Sequence, residues 1–99
     1  MSEAGKLTKD SIPSLLPGVM MKHDEVRERT VLLAPERTLA LDGTGISIVE
    51  AIDGKASVSE IAHELAKTYN AEVQTIGNDV VAFLRDLINR GYIGISNGE

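Results

Sequence analysis

Thr30-Val-Leu-Leu-Ala-Pro-Glu-Arg-Thr-Leu-Ala-Leu-Asp42 decides the fold. Thr30 to Ala34 is an apolar run, β-branched at its start, as a strand prefers. Ala34-Pro35-Glu36-Arg37 reads as a tight turn, because proline at the second turn position fixes φ at about −65°. From Arg37 to Asp42 the pattern alternates with period two. Leu39 and Leu41 share one face, Thr38 and Ala40 the other. A link this short joins antiparallel neighbours. At Asp42 the apolar spacing changes to three and four, so the sheet ends and helices begin.

Working back from Thr30, Asp24 to Glu28 is a charged turn and Gly18 to His23 a further strand. The three runs predict a meander whose last strand, Arg37–Leu41, lies at an edge. Before it, Pro13 and Pro17 bracket Ser14-Leu15-Leu16, and proline cannot donate to a sheet ladder. Residues 1–16 are therefore expected to be a flexible tail. The domain is placed at 17–95, with 96–99 as a short C-terminal tail.

Working forward, Asp42 is a good N-cap for a first helix carrying Ile48, Val49 and Ile52 on one stripe. The glycines in Asp42-Gly43-Thr44-Gly45 lack the continuation of either phosphate-loop pattern and read as helix entry. Ser57-Val-Ser-Glu60 is a capping box, followed by Val58, Ile61, Ala62, Leu65 and Tyr69 and a stop near Asn70. A third helix spans about Glu72 to Arg90, with Gly91 as its stop. Its central stripe is Val73, Ile76, Val80, Leu84 and Leu87, flanked by Phe83 on one side and Val81 and Ile88 on the other. The resulting apolar arc of about 160° exceeds the ~100° needed to dock on one core. Gly77 inside it predicts close backbone packing. Tyr92 to Ile95 is a short extended coda. The order is α+β: winged-helix-like, with an N-terminal three-stranded antiparallel sheet followed by three helices.

Composition removes whole classes of function. The 99 residues carry 10 Lys and Arg against 15 Asp and Glu, a net charge of −5, which argues against sequence-independent nucleic-acid binding. The third helix, which would enter a DNA groove, is itself net acidic: Glu72, Asp79 and Asp86 outnumber Arg85 and Arg90. There is no Cys, hence no disulfide, thiolate metal site or iron–sulfur cluster. Neither a membrane-length apolar run nor a signal-peptide core is present, so a cytoplasmic chain without membrane contact is expected. Aromatic residues are 3% (Tyr69, Phe83 and Tyr92), too few to build a stacking site for bases or sugars.

Catalytic constellations are scarce as well. His23 and His63 are isolated and read as surface residues, and without Cys they make no recognised metal spacing. Asp10-Ser11-Ile12 has the look of a carrier-protein attachment triplet, but Pro13 follows it where a helix would have to open. No catalytic residue, metal or cofactor is predicted. What remains is a strand edge without internal charge beside a helix with surplus apolar surface. That arrangement suits β-strand addition by an extended peptide. The blander occupant of such an edge is the chain's own tail or a second copy.

Gly18-Val19, Met20–Lys22, His23-Asp24-Glu25-Val26-Arg27 and, most specifically, Val31-Leu-Leu-Ala-Pro-Glu-Arg37 resemble the PqqD family of pyrroloquinoline quinone biosynthesis. So do Leu41-Asp42, Asp53-Gly54, Ile61-Ala62-x-x-Leu65, and Asp79-Val80-x-x-Phe83-Leu84-x-x-Leu87 with Arg90-Gly91. The resemblance covers about residues 15–95. The chain departs from it at Met20, Lys22 and Thr30, where the family often has an aromatic residue. It implies a non-catalytic, chaperone-like domain that binds a precursor peptide, PqqA, and presents it to a radical S-adenosylmethionine enzyme, PqqE. It also implies that the peptide adds antiparallel to the third strand, in the groove beside the third helix. Carried onto this sequence, the site is Arg37, Thr38, Leu39, Ala40 and Leu41 with the helix residues Ile76, Asp79, Val80, Phe83, Leu84 and Leu87. One strand face must pack on the helices, so Leu39 and Leu41 are read as core while the backbone does the binding. Arg85 and Arg90 are read as helix-end charges. Alternatives are a recognition domain for another ribosomally made peptide, or a homodimeric adaptor paired through the same edge. A monomer or weak dimer is expected.

Overall fold

The computed structural model describes residues 7–96. It contains strands β1 (Ile12–Leu15), β2 (Met20–Asp24), β3 (Arg29–Ala34) and β4 (Arg37–Leu41). Helices α1 (Gly43–Glu50), α2 (Val58–Tyr69) and α3 (Val73–Arg90) follow, and strand β5 (Ile93–Ser96) comes last. The fold is mixed α+β, with three helices and two antiparallel sheets, ordered β2-β3-β4 and β1-β5.

The decisive stretch forms a hairpin whose turn is only Pro35 and Glu36, with Ala34 opposite Arg37. A two-residue turn makes its closing residues a hydrogen-bonded pair, and pairs then alternate along the ladder. Leu32–Leu39 and Thr30–Leu41 are accordingly hydrogen-bonded pairs, whereas Leu33–Thr38 and Val31–Ala40 are not. The N–H and C=O groups of Thr38 and Ala40 therefore point away from β3. On the inner face Met21, Leu32 and Leu39 lie side by side across the sheet. At the far hairpin, the Asp24 carboxylate accepts from the Arg27 and Val26 N–H groups, which holds its pKa below the ordinary value. The loop there passes through a left-handed Glu28, φ 54°.

The first two helices begin where their caps predict. Asp42 accepts from Gly45 N–H at 2.8 Å, and the Ser57–Glu60 capping box is reciprocal at 3.2 and 2.8 Å. Asn70 closes α2 in the left-handed region. Gly91 closes α3 at φ 82°, with the Gly91 and Tyr92 N–H groups turning back to Ile88 and Leu87. The core joins Leu32 of β3 to Ile48 of α1, Ile61 of α2 and Val80, Leu84 and Leu87 of α3, all essentially inaccessible.

The segment expected to be a flexible tail is not one where it is described. Residues 12–15 form β1 against β5, Pro13 and Ser11 are fully buried, and Leu16 N–H reaches the Tyr92 carbonyl. The carbonyls of Ser11 and Lys9 accept from Val58 and Ser59 N–H at 2.9 Å, satisfying two donors that the start of α2 would otherwise leave open. Proline is compatible because β1 pairs on one side only. Ser96, placed in the C-terminal tail, belongs to β5, and the coda of the sequence reading is that strand. Residues 1–6 and 97–99 of the two tails lie outside the described residues.

Gly77 also departs from expectation. A Cβ there would sit 3.7 Å from the Ala62 Cβ, an ordinary contact, so the α2–α3 approach does not require glycine. Gly77→Ala should therefore stabilise the domain by about 1 kcal/mol through helix propensity. A urea melt measures it, and any loss of stability would show that the helices are closer than this.

Candidate functional site

β4 is an edge strand: β3 pairs with one side, and among the described residues no strand pairs with the other. Thr38 and Ala40, whose main-chain groups face outward, are both exposed. Nothing charged interrupts Thr38–Leu41 to blunt the edge; Arg37 and Asp42 stand at its ends. On the inner face Leu39 is half-buried and Leu41 buried, as read from the alternation.

One contact ties β4 to the end of α3, and a second ties α3 to the start of α1, which follows β4. At the start of β4, the Arg37 guanidinium donates to the Arg90 carbonyl and lies over the Tyr92 ring, 4.8 Å from the centroid. Its Nη2 is so near Gly91 that a Cβ there would approach to 3.3 Å. Beyond the end of β4, the Phe83 ring lies against the first turn of α1, where a Cβ on Gly45 would meet ring carbons at 3.2 and 3.3 Å. Phe83 to Arg90 spans about 10 Å of helix and Arg37 to Leu41 about 13 Å of strand, so the two edges match in length. A side chain at Gly45 would press on the Phe83 ring and the Asp42 carboxylate, and Gly91 is favoured by its left-handed φ of 82°.

The predicted site residues divide accordingly. Arg37 reaches the end of α3 and Phe83 lies against the start of α1, while Thr38 and Ala40 stand exposed on the open edge of β4. Val80, Leu84 and Leu87 are 0% exposed and Ile76 is 8% exposed, so these four are core and present no side chain to a ligand. The wide apolar arc is consumed largely by packing, because α2 and β5 lean on α3 and Leu32 joins them in the core. Asp79 is exposed one turn before Phe83. At 100° per residue, Asp79, Phe83, Asp86 and Arg90 form one stripe. Along it, Asp86 accepts from Arg90 Nε at 2.8 Å. Asp86, Arg90 and Tyr92 join Arg37 at the end of α3 and are absent from the predicted site residues. The i,i+4 spacing of Asp86 and Arg90 signals their pairing, but the reach of Arg37 to residue 90 has no local signature.

The histidines are elsewhere. His63 Nδ1 donates to the Ser59 carbonyl at 2.8 Å within α2, and His23 Nδ1 meets Thr30 Oγ1 at 3.1 Å on the sheet. Among the described residues there is no group of three or more His, Cys, Asp or Glu that could hold a metal, and no helix long and apolar enough to cross a membrane.

This is a small α+β domain with a strand edge whose outward main-chain groups no described strand uses. The family model for coenzyme PQQ synthesis protein D (PqqD) matches residues 29–93. A PqqA binding protein of Rhodopseudomonas palustris (strain BisB5) is 42% identical over 88% of this chain and 85% of its own length. One of Rhizobium meliloti (strain 1021) is 37% identical over 95% and 96%. In structure, the chain is similar to the PqqD truncation of Methylobacterium extorquens PqqCD, solved by NMR as a functional, stand-alone recognition element for ribosomally synthesised and post-translationally modified peptides. The TM-score is 0.79 at 36% identity, covering 93% of this chain and 98% of that one. The crystal structure of PqqD from Xanthomonas campestris gives 0.54 at 36% identity, with 85% and 93% coverage. The chain belongs to the PqqD family.

Proposed function

We propose that this protein is a non-catalytic carrier on a winged-helix-like scaffold. It captures the precursor peptide PqqA by strand addition to β4 and presents it to the modifying enzyme, PqqE, in the cytoplasm. The observation that carries the reading is the pair Thr38 and Ala40, whose main-chain groups face outward on the open edge of β4. Two residues offering N–H and C=O each allow four main-chain hydrogen bonds, each worth about 1 kcal/mol net. An apolar peptide side chain against Leu39 and Phe83 adds about 1.5–3 kcal/mol. The relatives named PqqA binding proteins support the choice of peptide. Domain 17–95 holds this edge, and β1 extends its scaffold.

Titration of the labelled chain with synthetic PqqA tests the reading. The largest amide shifts are expected at residues 37–41 and 83–90. Shifts confined to α1 and α2 would move the site elsewhere. If the same β4 amides shift on concentrating the chain without peptide, the edge pairs with a second copy instead.

A further inference from the structure

Arg37 is a cation held in place by uncharged partners. One N–H goes to the Arg90 carbonyl and the guanidinium face rests on Tyr92. Ion pairs among the described residues are Arg27–Asp24 and Arg90–Asp86, so no carboxylate there lies within 4.0 Å of Arg37. A guanidinium has five N–H donors in a planar fork suited to a carboxylate. This one keeps donors to spare at the end of an open strand edge, in a chain whose net charge is −5. The carbonyl and the ring orient the fork beforehand, which reduces the ordering cost of using it.

We infer that Arg37 is a specificity-determining residue that takes an Asp or Glu side chain of the captured peptide; the inference rests on the strand-addition reading above. The register says where that acid sits. Arg37, Leu39 and Leu41 share the inner face of β4, so peptide side chains opposite them share the groove. In an antiparallel addition, the residue opposite Leu41 comes first, the one opposite Leu39 two later, and the one opposite Arg37 two later again. The preferred segment is therefore apolar, any, apolar, any, acidic, written from N to C. The two unrestricted residues face Thr38 and Ala40, exchange main-chain hydrogen bonds with them, and turn their side chains to the outer face.

The probe is C-terminally amidated PqqA, with each Asp replaced by Asn and each Glu by Gln in turn, titrated by calorimetry. One replacement, at an acid with apolar residues two and four positions before it, should weaken binding about tenfold. Against Arg37→Gln the same replacement should change affinity by less than about twofold. Restoring the free C-terminal carboxylate should not substitute for the lost side chain; if it does, the terminus is the ligand and the inference fails. It fails equally if no single replacement matters, or if the loss persists in Arg37→Gln. Should Arg37→Gln not fold, Arg37→Lys, which keeps the charge without the fork, should show a reduced loss. Shifts of the Thr38 and Ala40 amides on adding unaltered PqqA separate the two levels. Present without acid dependence, they leave strand addition standing and remove the role of Arg37. Absent, they remove both.

Discussion

Ala40→Pro will leave the domain folded and weaken capture of PqqA by about tenfold to a hundredfold. The Ala40 N–H points away from β3, so proline there removes no bond of the existing ladder. Proline is tolerated on edge strands whose N–H faces outward. It also holds the preceding residue, Leu39, in the extended conformation it already has. What it removes is a donor that the incoming strand needs. A peptide carbonyl left without a partner in the groove costs about 1–3 kcal/mol, which sets the expected loss. Leu39→Pro is the contrasting variant. Its N–H belongs to the hydrogen-bonded pair with Leu32, so it should lower stability by breaking the sheet from within. Calorimetry with PqqA and a urea melt on both variants make the comparison. Full affinity in a folded Ala40→Pro chain would mean that the β4 edge is not used.

That distinction marks the limit of what periodicity reveals. Alternation in Thr38-Leu39-Ala40-Leu41 shows which side chains share a face and says nothing about which N–H groups face outward. The two-residue turn at Pro35-Glu36 supplies the answer, because it fixes the phase of the ladder. Helix starts were legible for the same local reason: Asp42 and Ser57 act on donors three residues away. β1 was not legible, because it depends on β5, some eighty residues later, and on the carbonyls of Lys9 and Ser11 meeting the start of α2. Of the proposed site, the edge position of β4 was readable from the pattern of short links. The helix half was over-read, since an apolar arc does not show how much of itself the core will use.

The second large effect follows from that division of α3. Leu84→Ala should destabilise the domain by about 3–5 kcal/mol, because Leu84 is 0% exposed and the cavity left behind cannot fully collapse. For a chain of this length such a loss is a large part of a total of about 5–15 kcal/mol, so the variant should be partly unfolded at modest temperature. The affinity of its folded fraction for PqqA should nevertheless stay within about twofold, since no face of Leu84 reaches the groove. Phe83→Ala, one position away, should behave in the opposite way. Its ring is half-buried against Gly45, so it gives up less packing, while the groove loses its apolar wall and affinity falls about tenfold. Urea melts separate the stabilities, and calorimetry below the melting transition, corrected for the folded fraction, separates the affinities. If Leu84→Ala weakened binding by the folded chain as much as Phe83→Ala does, α3 would have to open to admit the peptide. The groove would then be a product of binding rather than a feature of the free domain.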